Sequence, residues 1–241
     1  MLDRSGCHSL NLRDIVTRID YALNTAIRNT ARVAREILVY MVLCMATLSI
    51  LLTISQYTRF RDDAAFLQYK QEYLHIRVWK TAFYIHVFSA FLALMAGFTQ
   101  FSNYVLKYHR PLHRVLGKLY AYDILLVNFP AALIMAWYAN GEWPSRLAFF
   151  ILDSLWFAFT LKAVLAIRKK DIRAHRRFMI RSYALTLSAI TLRTWKIILS
   201  GLFVIDIHTL YQIDAWMGFV PNLLLAEWLI RKKIRNVSGA D

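Results

Sequence analysis

Six stretches of the chain stay apolar for close to the ~20 residues that an α-helix needs to cross the hydrocarbon of a bilayer. They cover roughly residues 38–57, 81–104, 115–138, 146–167, 178–203 and 210–230. None alternates with the period of a strand, and no internal repeat or low-complexity tract interrupts them. The pattern predicts an all-α integral membrane bundle of six transmembrane helices over residues 38–230, with a basic tail at 231–241. Residues 1–37 have a different character. Ile15, Ile19, Leu23 and Ile27 recur at helical spacing, with Arg13, Arg18, Arg28 and Arg32 between them. That arrangement predicts a basic amphipathic helix lying on an anionic membrane surface, or else one that docks on a partner. The segment lacks the early apolar core and small-residue cleavage site of a signal peptide.

Composition agrees with the pattern and narrows the function. Of 241 residues, 58% are hydrophobic, and the formal net charge is +15. On a soluble domain so basic a chain would suggest nucleic acid. Here the charge sits between the apolar runs, so the expected partners are the bilayer and its anionic headgroups, with another membrane protein as the alternative. Twenty Lys and Arg fall on one side of the expected spans, against six on the other. The positive-inside rule then puts both termini in the cytoplasm and the bundle in a bacterial cytoplasmic membrane. Trp79, Trp137, Trp143 and Trp216 are expected as an aromatic belt at the opposite interface. Cys7 and Cys44 build no disulfide framework and no cysteine zinc site.

Ionisable residues inside membrane helices are costly and mark candidate sites. In the fifth span His175, Met179, Ser182, Thr186, Ala189, Arg193 and Lys196 follow one another at steps of four and three, which places them on one stripe. Lipid would not tolerate that stripe, so it should face inward. In the second span His86, Ala90, Ala93, Gly97 and Gln100 form another, small enough for close helix packing. The rise of about 1.5 Å per residue sorts the polar groups by depth. An outer layer collects His86, Asp153, Arg193, Lys196 and Asp214. An inner layer collects His113, His175, Arg181, Asp123 and Glu227. Asp153 and Arg193 are expected to pair. Asn222 follows Pro221, where an amide could satisfy the carbonyl that proline frees, or could touch a ligand.

The sharpest chemical expectation concerns "HRPLHRVLGKLY" (109–120) and "AHRRFMIRSY" (174–183), both at cytoplasmic ends of spans. One b-type haem between His113 and His175, with Arg114 and Arg176 on its propionates, would suit a redox protein. A two-haem wire is not expected, because Gln100 stands where a second ligand on the helix of His86 would be. The plainer alternative is that these His-Arg pairs hold phosphate headgroups at the membrane boundary. Zinc between His109 and His113 is disfavoured, since Pro111 belongs in a first helical turn and His109 before it. His75, His208, Asp62 and Asp63 are expected in outer loops, solvated. No motif of a serine hydrolase, phosphate-binding loop or zinc protease is present. The competing functions are therefore a single-haem electron-transfer protein, a carrier or binding protein for an anionic small molecule or lipid using Arg193 and Lys196, and a non-catalytic accessory subunit.

The stretches "YIHVFSAFLALMAGFTQFS", "LHRVLGKLY", "AHRRFMIRSYALTLSAITLR" and "DAWMGFVPNLLLAE", over roughly residues 81–230, resemble a bacterial family of multi-pass membrane proteins catalogued as domain of unknown function 2306. The resemblance implies a helical integral membrane protein. It also implies a family pattern at His86, at the His-Arg pairs of His113 and His175, and at Asn222 and Glu227, with Phe178 standing where tryptophan is frequent. It assigns no reaction and no catalytic residue.

Overall fold

A computed structural model describes residues 12–101 and 103–238, and these form helices joined by short turns, with no strand among them. Arg4 and Cys7 lie outside the described residues, as do the side chains of Ile15, Arg32, Arg35, Lys233 and Arg235. The chain divides into two compact units, Met1–Ser49 and Ile50–Asp241.

Helix α1 (Leu12–Ser55) runs without a break through residues 37 and 38, where the sequence pattern changes from basic amphipathic to apolar. In the first unit Ile19, Leu23 and Ile27 are exposed, as are Met41, Met45 and Leu48 further along. Neither the basic nor the apolar part carries a proline or glycine that would stop the helix.

In the second unit a 3-10 segment (Ala65–Tyr73) leads into α2 (Arg77–Gln100) and the short α3 (Asn103–Tyr108). Helix α4 (Arg110–Tyr122) opens with Pro111 in its first turn and His109 before it, as expected. It passes through a π-helical turn (Asp123–Asn128) into α5 (Phe129–Trp137). There the Phe129 N–H bonds to the carbonyl of Ile124, and Pro130 has no N–H to give to the next one. Helix α6 (Glu142–Arg168) follows. Asp171 caps α7 (Ile172–Thr186), accepting from the Ala174 N–H at 2.9 Å. Helix α8 (Ser188–Leu202) continues beyond a break at Leu187. Asp206 caps α9 (Ile207–Met217), accepting from the N–H groups of His208 and Thr209. The turn at Gly218–Phe219 separates α9 from α10 (Val220–Ser238).

Four stretches are long and apolar enough to cross a membrane: Arg77–Gly97, Arg110–Trp137, Glu142–Arg168 and Ile207–Lys232. They coincide with the second, third, fourth and sixth expected spans. The stretch expected as the fifth span is instead two helices, α7 and α8, interrupted at Leu187 and carrying Arg181, Arg193 and Lys196, and it is not among these four.

Small residues set how closely these helices meet. A Cβ on Gly97 would stand 1.9 Å from the Tyr183 ring, so α2 and α7 pack as they do because position 97 has no side chain. The central cluster joins Ala93, Tyr120, Ile124, Ala148, Leu152, Trp156, Tyr183 and Phe219. At the heart of it the Tyr120 hydroxyl lies 2.7 Å from both Ser182 Oγ and Thr186 Oγ1. Trp156 Nε1 donates to Thr186 Oγ1 at 3.0 Å, and Thr160 Oγ1 meets Ser182 Oγ at 2.7 Å. Ser182 and Thr186 thus face inward, as the stripe on the fifth span requires. On the outside, Val78, Ile85, Leu92, Val115, Leu126, Leu147, Leu165, Leu224 and Leu225 are exposed, the surface expected against acyl chains. The aromatic belt is only half present. Trp137 and Trp143 are exposed, but Trp79 is buried beside Leu67 and Phe83, and Trp216 packs on Phe219. The loop before α2 folds back over Trp79 and removes it from the surface.

Candidate functional site

Five ionisable side chains from four helices open into one cavity of about 460 Å3. His86 comes from α2, Asp153 from α6, Arg193 and Lys196 from α8, and Asp214 from α9. All residues lining it belong to the unit Ile50–Asp241. These five are the outer layer expected from depth alone. The α8 pair arrives by periodicity, three residues apart on the stripe that also carries Ala189. The two carboxyls arrive about 17 Å into α6 and about 11 Å into α9, by the helical rise. Most of the wall is apolar and aromatic, including Tyr57, Phe83, Trp156 and Tyr211.

The helices beside the cavity are broken at three points. The π turn sets Asn128 inside the bundle, where its Oδ1 is 3.1 Å from His86 Nδ1 and its Nδ2 donates to Ser89 Oγ at 2.8 Å. His86 is thereby fixed in rotation while its other ring nitrogen is left for the cavity side. At the second and third breaks, Asn222 ties α10 to α7 and α8. Its Nδ2 donates to the Ala184 carbonyl at 3.2 Å, to Thr191 Oγ1 at 3.0 Å and to the Gly218 carbonyl at 3.3 Å. Thr191 Oγ1 also donates to the Gly218 carbonyl. Asn222 is therefore the amide that satisfies freed backbone, and it does not line the cavity. Gly218 lets the break at the end of α9 approach α8, since a Cβ there would stand 2.4 Å from Leu192 Cγ.

The charges in the cavity do not pair with one another. Asp153 makes no hydrogen bond and no ion pair among the described residues, and no bridge joins it to Arg193 within 4.0 Å. The expected Asp153–Arg193 pair is thus corrected. Depth brought the two groups to one cavity, but α6 and α8 hold them on different walls. Arg193 Nη1 donates to the Ala189 carbonyl of its own helix at 2.5 Å. Lys196 Nζ donates to the Tyr211 hydroxyl at 3.2 Å and sits 4.7 Å from the centre of that ring and 5.8 Å from that of Tyr69. Asp214 is 94% buried and its Oδ1 has no hydrogen-bond partner.

A third cation enters from outside the spans. Lys70 lies in the 3-10 segment, where its own backbone leaves helical geometry, and it is almost wholly buried. Its Nζ donates to the Tyr138 carbonyl, and burial pulls its pKa down from the ordinary 10.5 to about 8. In the charge count from sequence, Lys70 is one of the six basic residues of the outer side and has no role beyond that. Asn128 was also missed, although an asparagine one residue before Phe129-Pro130 in an apolar run is a visible signal of an interrupted helix. Asp62 and Asp63 are exposed and make surface bridges to Lys80 and Arg61.

The inner groups are arranged differently. Arg181 makes a two-pronged pair with Glu227, Nε to Oε1 and Nη2 to Oε2 at 2.9 Å. Its guanidinium also lies over Phe159 and Phe178, at 5.8 and 5.6 Å from the ring centres. His175 Nδ1 is 2.9 Å from the Ala163 carbonyl and so carries the hydrogen. His113 lies within electrostatic range of His175, and its own Nδ1 is buried without a partner, as is Asp123 Oδ2. Arg114 and Arg176 are exposed. A haem would need the two histidines at similar depth with an apolar slot between them. Neither described cavity is lined by either histidine, and two helical turns further on Tyr120, Ser182 and Thr160 fill the interior completely. The two described cavities therefore offer a haem no slot at His113 and His175. Among the described residues no cluster of three or more His, Cys, Asp or Glu could hold a metal ion.

Long apolar helices that bury carboxyls between them, broken beside a largely apolar cavity, define a helical integral membrane protein. The family described as "Predicted membrane protein (DUF2306)" matches residues 83–230, and the chain belongs to it. No curated protein and no solved structure matches the chain.

Proposed function

We propose that this chain crosses a bacterial cytoplasmic membrane six times with both termini inside, and that it binds a small organic anion in the cavity for passage through the bilayer. The far part of α1 and the α7–α8 pair would supply the two further spans. The distribution of Lys and Arg along the chain supports the orientation, and the exposed Arg114 and Arg176 suit a face that meets anionic headgroups.

The observation that carries the binding reading is the cavity itself, with Arg193 and Lys196 on one wall and aromatic rings around them. Its volume lies within the roughly 300–1,000 Å3 of small-molecule sites. Broken helices at the bilayer midplane are where transport proteins hold their ligands, because a break frees backbone and side chains for the substrate without exposing them to lipid.

Calorimetric titration of the nanodisc-embedded protein with 3-phenylpropionate tests the reading. The expected outcome is saturable binding that weakens about tenfold or more in Arg193→Gln, with unchanged melting, as for loss of a charge-assisted hydrogen bond. Equal binding by the variant, or none by the parent, overturns it. An absorption spectrum of the same preparation separates this reading from the haem one, since a Soret band lost in His175→Ala would favour the latter.

A further inference from the structure

Ionisable groups of both signs line this cavity, and no salt bridge within 4.0 Å joins any two of the four central ones. Two carboxyls, Asp153 and Asp214, are each 94% buried. Asp153 has no partner among the described residues, and Asp214 Oδ1 has none. Arg193, exposed at the edge of the cavity, and the half-buried Lys196 line the same space; Arg193 donates to a carbonyl of its own helix, and Lys196 donates to the Tyr211 hydroxyl with the rings of Tyr69 and Tyr211 beside it. In a medium of low dielectric, opposite charges gain most by closing on each other. Here α6, α8 and α9 hold the carboxyls and the cations beyond the 4.0 Å of a salt bridge. Leaving a buried carboxylate unpaired is costly, and such a cost persists where the surrounding fold enforces it, most often at functional sites.

We infer that the ligand is a zwitterion with an apolar body: its acid group seats on Arg193 and Lys196 and its ammonium on Asp153 and Asp214. A simple anion would satisfy the cations and leave both carboxyls as they are. An amine would do the reverse. One molecule carrying both groups satisfies the four side chains together and enters without net charge. Tyr57, Trp156 and Tyr211 supply ring faces for the apolar body and for the ammonium. Of the other basic groups at the cavity, His86 is held by Asn128 through Nδ1, and Lys70 donates to the Tyr138 carbonyl. This inference rests on the binding site proposed above and names its ligand class.

Three isosteric probes separate the possibilities. Phenylalanine, 3-phenylpropionate and phenethylamine share one body and differ only in which charges they carry. Titrated at up to millimolar concentration into the full chain in nanodiscs, phenylalanine is expected to bind at least about tenfold more tightly than either of the others. Asp214→Asn is expected to remove that advantage, and continued saturable binding of 3-phenylpropionate by the variant shows that it is folded. Asp153→Asn should act in the same direction. If 3-phenylpropionate binds as tightly as phenylalanine and depends on Arg193, the zwitterion is overturned while the anion site stands. If phenethylamine binds most tightly, or none of the three binds, both are overturned.

Discussion

The two polar layers of the unit Ile50–Asp241 lie on different helices, with the inner pair on α7 and α10 and the cavity groups on α2, α6, α8 and α9, and they treat charge in opposite ways. At the inner end Arg181 and Glu227 are joined by two hydrogen bonds and covered by Phe159 and Phe178. In the cavity Asp153, Asp214, Arg193 and Lys196 stay apart. A charged pair closed on itself has no capacity left for a ligand and specifies how α7 meets α10. Charges held open have that capacity, and the fold bears their desolvation. The inner pair is therefore read as architecture and the cavity as the working site.

Removing one member from each layer should break or sharpen this contrast. The largest effect is expected at the inner end. Glu227→Gln leaves the half-buried Arg181 guanidinium with one weak acceptor in place of a carboxylate. A loss of about 2 kcal/mol of stability follows from the usual worth of hydrogen bonds between charged groups. Chemical denaturation in a mild detergent would measure it. A variant as stable as the parent would show that the pair holds nothing together.

How much of this was legible in the sequence depends on which physical rule each feature obeys. The stripes through His86 and through Arg193 follow from the helical period, so their inward faces could be read directly. Depth follows from the rise per residue, so the five cavity residues group together by their positions along the spans alone. Whether two grouped charges touch depends on lateral placement of helices, which no periodicity records, and the Asp153–Arg193 pair failed there. The break at Leu187 has no proline or glycine to announce it; it is fixed from outside by Asn222 and Thr191. Lys70 was unreadable for a related reason. Its burial is a property of how the loop folds over Trp79, and a lysine in a loop is ordinarily solvated.

Lys70 gives the contrast a pH dependence. Its folded pKa of about 8 lies below the ordinary 10.5, so burial disfavours the charged form in the native state. Below pH 8 both folded and unfolded chains carry the proton, and the cost is felt in full. Between about 8 and 10.5 the folded chain has released a proton that the unfolded chain keeps. Stability contributed by this group therefore rises with pH through that window. A rise of about 1 kcal/mol is expected, less than the whole shift would give, because the amine keeps the Tyr138 carbonyl as a partner. Comparing melting of the parent and Lys70→Met from about pH 7.5 to about pH 10.5 isolates it, the two pH values being set by the window above. Parallel profiles would show that Lys70 is not buried as a cation.

The smallest effect has the opposite sign and bears most directly on the comparison. In Asp214→Asn a buried carboxylate oxygen without a partner becomes part of a neutral amide of the same shape. No hydrogen bond of that oxygen is lost; the attraction of Lys196 is, but relief of the carboxylate's desolvation outweighs it. The variant should be more stable than the parent by about 0.5 kcal/mol, as happens when a site's strain is removed at the expense of its function. Its thermal midpoint, measured without ligand, decides the point. A rise, together with weaker binding of phenylalanine, would show that stability had been given up to keep the carboxyl open. A fall comparable to that of Glu227→Gln would mean that Asp214 is a structural partner after all, and the distinction between a closed inner layer and an open cavity would fail at its most exposed claim.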